Sequence, residues 1–222
     1  MTFNTYGDKE NQSLLLIPGL GVSYEIFMPL IELLKDQFYI VAVGIDGFLL
    51  GQESQFTSVD DQAVQAAQYV RENLNGHLDV AYGLSLGGKI LSRIMERNEI
   101  VIDHAIMDAA PLLPLPKWSV NPIRYYQSLN VWTCYHCTGF WKFVFHSHYF
   151  DVLLDECKKV WPYGRERLCE TATKMSILIN WNPFTGQIYI IGMAPRRLSW
   201  PSRRPSTCSN YVLMPMWRSS QK

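Results

Sequence analysis

The residues best placed to do chemistry are in Gly83-Leu84-Ser85-Leu86-Gly87, a G-x-S-x-G pentapeptide directly after one apolar run and directly before a helical one. A serine at a sharp strand-to-helix bend has strained backbone angles, so the residues two positions away on each side must be small. The bend exposes the Ser85 hydroxyl and aims the unpaired N–H groups of the helix start at developing negative charge. That is the chemistry of nucleophilic attack on a carbonyl. Two plainer readings compete. One is a glycine-rich turn carrying a surface serine. The other is a phosphate loop, since Gly83 to Lys89 also fits G-x-x-x-x-G-K. Ile90 stands where that loop needs a magnesium-binding hydroxyl, and the segment follows the third apolar run, so the phosphate reading is the weaker.

The elements around Ser85 follow from hydrophobic period. Four short apolar runs end in turn residues: Ser13–Ile17, Tyr39–Val43, Leu78–Tyr82 and His104–Met107. They suit strands buried on both faces of a parallel sheet. Between them, helical stripes run over Ser23–Gln37, Val59–Leu74 and Leu86–Arg97. Ser58 and Asp61 stand where an N-cap and its acidic partner belong. Strand and helix in strict alternation predict a doubly wound, mostly parallel α/β sheet. Gln187–Ile191 reads as a further strand, and the chain beyond Gly192 has neither helix nor strand period. The expected organisation is a core over 1–111, an aromatic-rich cap-like segment over 112–170, and a remnant of core with an irregular basic tail over 171–222.

Composition sets outer bounds. The 222 residues carry 20 basic and 20 acidic side chains, a zero balance that argues against general nucleic-acid binding. Residues 1–10 lack the basic-then-apolar pattern of a signal peptide. The longest apolar stretch, Leu129–Leu154, is broken by His136, Lys142, His146, His148 and Asp151, which a membrane span tolerates poorly. The expectation is a cytoplasmic protein with no membrane span and no cofactor. Its partner would be a small acyl substrate or apolar ligand; nothing bears on its oligomeric state. The odd cysteine count of five fits free thiols.

From Ser13 to Pro111 the chain resembles the front half of the α/β-hydrolase family. Leu16-Ile17-Pro18-Gly19-Leu20-Gly21 is similar to the family's His-Gly oxyanion loop, with Pro18 in place of the usual histidine. Val43-Gly44-Ile45-Asp46-Gly47-Phe48 resembles its Asp-x-x-Gly-x-Gly turn. The resemblance implies a serine esterase-type hydrolase with Ser85 as nucleophile, Gly83 and Gly87 as elbow glycines, and the N–H groups of Leu20 and Leu86 as oxyanion donors.

The family order is nucleophile, then acid, then histidine near the C-terminus. Serine needs such a base within hydrogen-bond reach. Residues 171–222 contain no His, Asp or Glu, although 20 acids and five histidines among 222 residues would put roughly six there. This points to impaired catalysis, or to a catalytically silent binding protein with the same fold. Upstream substitutes are few. Asp108 closes a strand where some hydrolases keep the acid, though it also suits a turn cap. His104 reads as a helix-to-strand turn residue. His77 follows Gly76 at the end of its strand away from Ser85. His146 and His148 would share a face if extended, and a solvated or core-rim role suits them better. Cys134-Tyr135-His136-Cys137 lacks the second paired knuckle of a structural zinc site, which leaves buried thiols. Arg196, Arg197, Arg203 and Arg204 read as a disordered basic tail.

One explanation for the missing residues is a shifted reading frame or an otherwise altered C-terminus. Residues 192–201 can be encoded by GGC ATG GCG CCA AGG AGG CTA AGT TGG CCA; read from the third base, this gives His-Gly-Ala-Lys-Glu-Ala-Lys-Leu-Ala. The coding DNA is expected to read openly in that frame through the region and to encode the histidine. Early stops, or no histidine codon, would refute a frameshift.

Overall fold

A computed structural model describes residues 1–49, 54–110, 122, 125–126, 129, 132–134, 136–145, 148–160, 187–191 and 211–212. The strands are β1 (Thr2–Tyr6), β2 (Gln12–Ile17), β3 (Phe38–Gly44), β4 (His77–Leu84), β5 (Val101–Asp108), β6 (Gln187–Ile191) and β7 (Tyr211–Val212). They form one sheet in the order β1-β3-β2-β4-β5-β6-β7. Only β1 runs antiparallel, against β3; every other pairing is parallel. The parallel α/β sheet expected from the alternation of elements is therefore present.

Alternation along β2 and β3 splits the core into two layers. Leu15, Ile17, Val41 and Val43 face the helices α2 (Val59–Asn73) and α3 (Leu86–Arg97), meeting Ala63, Ala66, Val70, Ile90, Leu91 and Ile94. Leu14, Leu16, Ile40 and Ala42 face the other way, onto Phe27 and Ile31. Each of the Leu, Ile and Val side chains contributes about 1.5–3 kcal/mol when removed from water. Helices on both faces explain why the strands read as continuous apolar runs.

The stripe over Ser23–Gln37 is not one helix. Tyr24–Phe27 forms a 3-10 turn capped by Ser23, and α1 spans Met28–Leu34. Pro29 has no N–H to donate to the preceding turn, so the α-helical ladder starts with it in the first turn. In α2 the Ser58 hydroxyl accepts the Asp61 N–H at 3.0 Å, as the spacing predicts. Two more helices, α4 (Thr138–Phe145) and α5 (His148–Val160), lie in the expected cap-like segment. Lys159 of α5 reaches Glu25 of the 3-10 turn at 2.9 Å. Among the described residues no helix is long and apolar enough to cross a membrane.

The turn after β3 is held by polar contacts. Asp46 accepts hydrogen bonds from the Met1 ammonium at 2.6 Å, Gln62 at 2.9 Å and Gln65 at 3.2 Å. Burial pushes its carboxyl pKa up, but those donors outweigh burial and hold it below the ordinary carboxylate range. A lowered folded-state pKa gives stability that is present above the unfolded value and lost as pH falls through the folded one. Asp46→Asn is expected to cost about 2 kcal/mol at neutral pH. In urea melts the gap from the parent should close as pH drops below the ordinary carboxylate range; a constant gap would contradict the assignment.

Candidate active site

Ser85 is the junction between β4 and α3, at φ 50° and ψ −106°. This left-handed value is rare for a residue with a side chain and carries about 1–3 kcal/mol of strain. Its surroundings hold it there. The Ser85 N–H donates to the Asp108 carbonyl at 2.7 Å, and the Ser85 carbonyl accepts the Lys89 N–H at 3.2 Å, opening the α3 ladder. The Leu86 N–H, in the first helical turn, has no acceptor within its own helix.

Two glycines let α3 press onto the strand ends. A Cβ on Gly87 would lie 2.1 Å from the Ile17 carbonyl oxygen, and one on Gly83 would lie 2.6 Å from Gly87 and Gly88 backbone atoms. The loop after β2 closes the other side. A Cβ on Gly19 would be 3.5 Å from the Ser85 Cβ, so Pro18-Gly19-Leu20 runs alongside the serine. Ser85 and Leu20 are half-buried and Leu86 is fully buried.

Asp108 ends β5 opposite Leu84. It touches Ser85 through its main chain, while its carboxylate accepts the Tyr82 hydroxyl at 2.8 Å. Tyr82 is a residue the sequence reading missed; it lies two positions before Leu84 on β4, so the strand period carried the signal. Lys89, one helical turn past Ser85, is almost fully buried. Burial, and then the neighbouring Arg93 charge, lower its ammonium pKa.

The remaining candidates lie apart. His104 is not a turn residue: β5 begins at Val101, and His104 sits within the sheet opposite Val80 and Gln187. Exposed Asp103 and half-buried His104 separate Val101 and Ile102 from the apolar run of Ala105, Ile106 and Met107, which hid those first strand residues. His77 opens β4 at the sheet end away from Ser85, as expected. His148 opens the helix α5, so the extended alternation with His146 does not hold; His146 itself lies outside the described residues. Cys134 and Cys137 are free thiols, but Cys137 is exposed rather than buried; partial burial raises the Cys134 pKa. The His136 ring packs on Trp132 with centroids 4.7 Å apart. Arg196, Arg197, Arg203 and Arg204 lie outside the described residues. Among the described residues no histidine hydrogen-bonds Ser85. A cleft beside β1, lined by Thr2, Asn4, Tyr24 and Leu49 among others, includes neither Ser85 nor Asp108 and is a separate feature.

The sheet and the helices around this bend superpose on many solved structures. The chain superposes on a protein assigned to the α/β-hydrolase family from Desulfitobacterium hafniense with a TM-score of 0.69 and 16% identity, covering 85% of this chain and 78% of that one. It has the α/β-hydrolase fold. A thermophilic esterase from Thermogutta terrifontis gives a TM-score of 0.63 at 16% identity, covering 85% and 73%. An esterase from Exiguobacterium antarcticum gives 0.63 at 14% identity, covering 85% and 75%. No family model matches the sequence. No curated protein matches it either.

Within this α/β-hydrolase fold the elbow makes a stability prediction. Gly87→Ala should lower stability by about 2 kcal/mol or more, because the methyl group meets rigid backbone. Ser85→Gly should be more stable than Ser85→Ala by about 1 kcal/mol, since glycine accepts the positive φ. Urea midpoints measure both; equal midpoints for the two Ser85 variants would show that the elbow is unstrained.

Proposed function

We propose that the chain is a serine hydrolase of carboxylic-ester type, with Ser85 as nucleophile and turnover limited by its proton acceptor. The positive φ of Ser85 beside the Gly19 loop carries this reading. In it, the Ser85 oxygen attacks the carbonyl carbon and the substrate oxygen becomes an oxyanion. The Leu86 and Leu20 N–H groups stabilise that charge; removing one such donor in comparable enzymes costs about 2.7–4 kcal/mol. The alcohol leaves with a proton, and water then releases the acid from the acyl-enzyme. Gly83 and Gly87 hold the bend, and Asp108 anchors it through its carbonyl. The esterases among the structural neighbours support the substrate class.

The proton acceptor is the weak point, because residues 171–222 offer no His, Asp or Glu. Without a base, attack by serine is slow. A fluorophosphonate probe should therefore label Ser85 slowly, with the adduct on the peptide containing it, and Ser85→Ala should abolish labelling. Labelling elsewhere, or none, would refute the nucleophile. The same absence favours a second reading, a silent member of the fold that binds a small apolar ligand. Thermal stabilisation by an ester that survives Ser85→Ala would select it.

A further inference from the structure

At the end of β4 opposite to Ser85, three side chains with metal-binding donors converge. His77 and Asp79 are two apart on β4, and Asp103 lies beside them on β5, where the parallel register pairs Leu78 with Ile102 and Val80 with His104. The His77 Nε2 and Asp103 Oδ2 are 3.1 Å apart, and one donor atom from each of the three residues lies within 4.8 Å of the others. We propose that His77, Asp79 and Asp103 form a binding site for a divalent first-row transition ion such as Zn²⁺.

Charge and donor type both favour a cation there. Two carboxylates share one imidazole, so the trio keeps a negative charge whether or not the ring is protonated. Among the described residues no Lys or Arg pairs with Asp79 or Asp103. One imidazole nitrogen with carboxylate oxygens is a donor set for zinc and its neighbours, at bonds of about 2.0–2.2 Å. Donors on one ion at those bond lengths are closer together than 4.8 Å at most, so the exposed His77 and Asp103 side chains need only small rotations.

Asp79 is already set in place. Its Oδ2 accepts the Ser13 N–H and hydroxyl, both at 2.7 Å. Burial raises its carboxyl pKa, but the Ser13 hydrogen bonds outweigh burial and hold it below the ordinary carboxylate range. The ion would take His77 Nε2 and one oxygen from each aspartate, with water completing its shell, and would clamp β4 to β5. This site is independent of the chemistry at Ser85.

Titration of the full chain with Co²⁺, displaced by Zn²⁺, tests the site, because cobalt reports its ligands in its visible spectrum. The expected result is one equivalent bound with a nitrogen–oxygen spectrum and no thiolate charge-transfer band. Affinity should fall at least tenfold in His77→Ala and in Asp103→Asn. Both side chains are nearly half exposed, at 45% and 49%, so either variant should keep the fold, checked by its melt without metal. No saturable binding, a thiolate band accounting for it, or unchanged affinity in both variants would overturn the proposal.

Discussion

The structure depends on the close approach of one helix to the ends of two strands. Where α3 starts, its backbone meets Ile17 of β2 and Gly83 of β4 at distances that leave no room for a side chain. That contact forces glycine at positions 83 and 87, and forces Ser85 into a conformation it would not choose alone. The packing of Ile90, Leu91 and Ile94 against the sheet supplies the stabilisation that offsets the strain. A side-chain hydroxyl held above a sheet edge is thus a product of the core, not of the loop that bears it.

Polar contacts then register the neighbouring segments to this point. The Asp108 carbonyl receives the Ser85 N–H, so β5 is tied to the elbow by main chain alone. The Asp108 carboxylate accepts the Tyr82 hydroxyl, one strand over. Asp108 thus anchors the elbow through its carbonyl and contacts β4 through its carboxylate. The loop after β2 reaches Ser85 because Gly19 follows an apolar strand that ends at the same height.

Much of this was legible in the residues. Strands such as Tyr39–Val43 are buried on both faces, and burial on both faces leaves an unbroken apolar run. Ser58 and Asp61 announced their helix because capping is a local interaction. β1, Thr2–Tyr6, escaped notice because it is an edge strand whose pairing with β3 is carried by backbone bonds and whose side chains are mostly half-buried. β7, at Tyr211–Val212, is two residues long and leaves no period to read. The break in the Ser23–Gln37 stripe was missed because Pro29 preserves the apolar spacing while removing a donor. The site itself split in the same way: the bend at Ser85 follows from local spacing, whereas the Tyr82–Asp108 contact needs two strands brought together.

The sheet order has a consequence for how the chain comes together. β2 lies between β3 and β4, and β4 between β2 and β5, so the acceptor for the Ser85 N–H is a residue synthesised after the serine itself. Until β5 docks, the bend lacks this main-chain anchor and is held by the glycine contacts of α3 alone. Full restraint of the hydroxyl therefore needs β2, β4, β5 and α3 together.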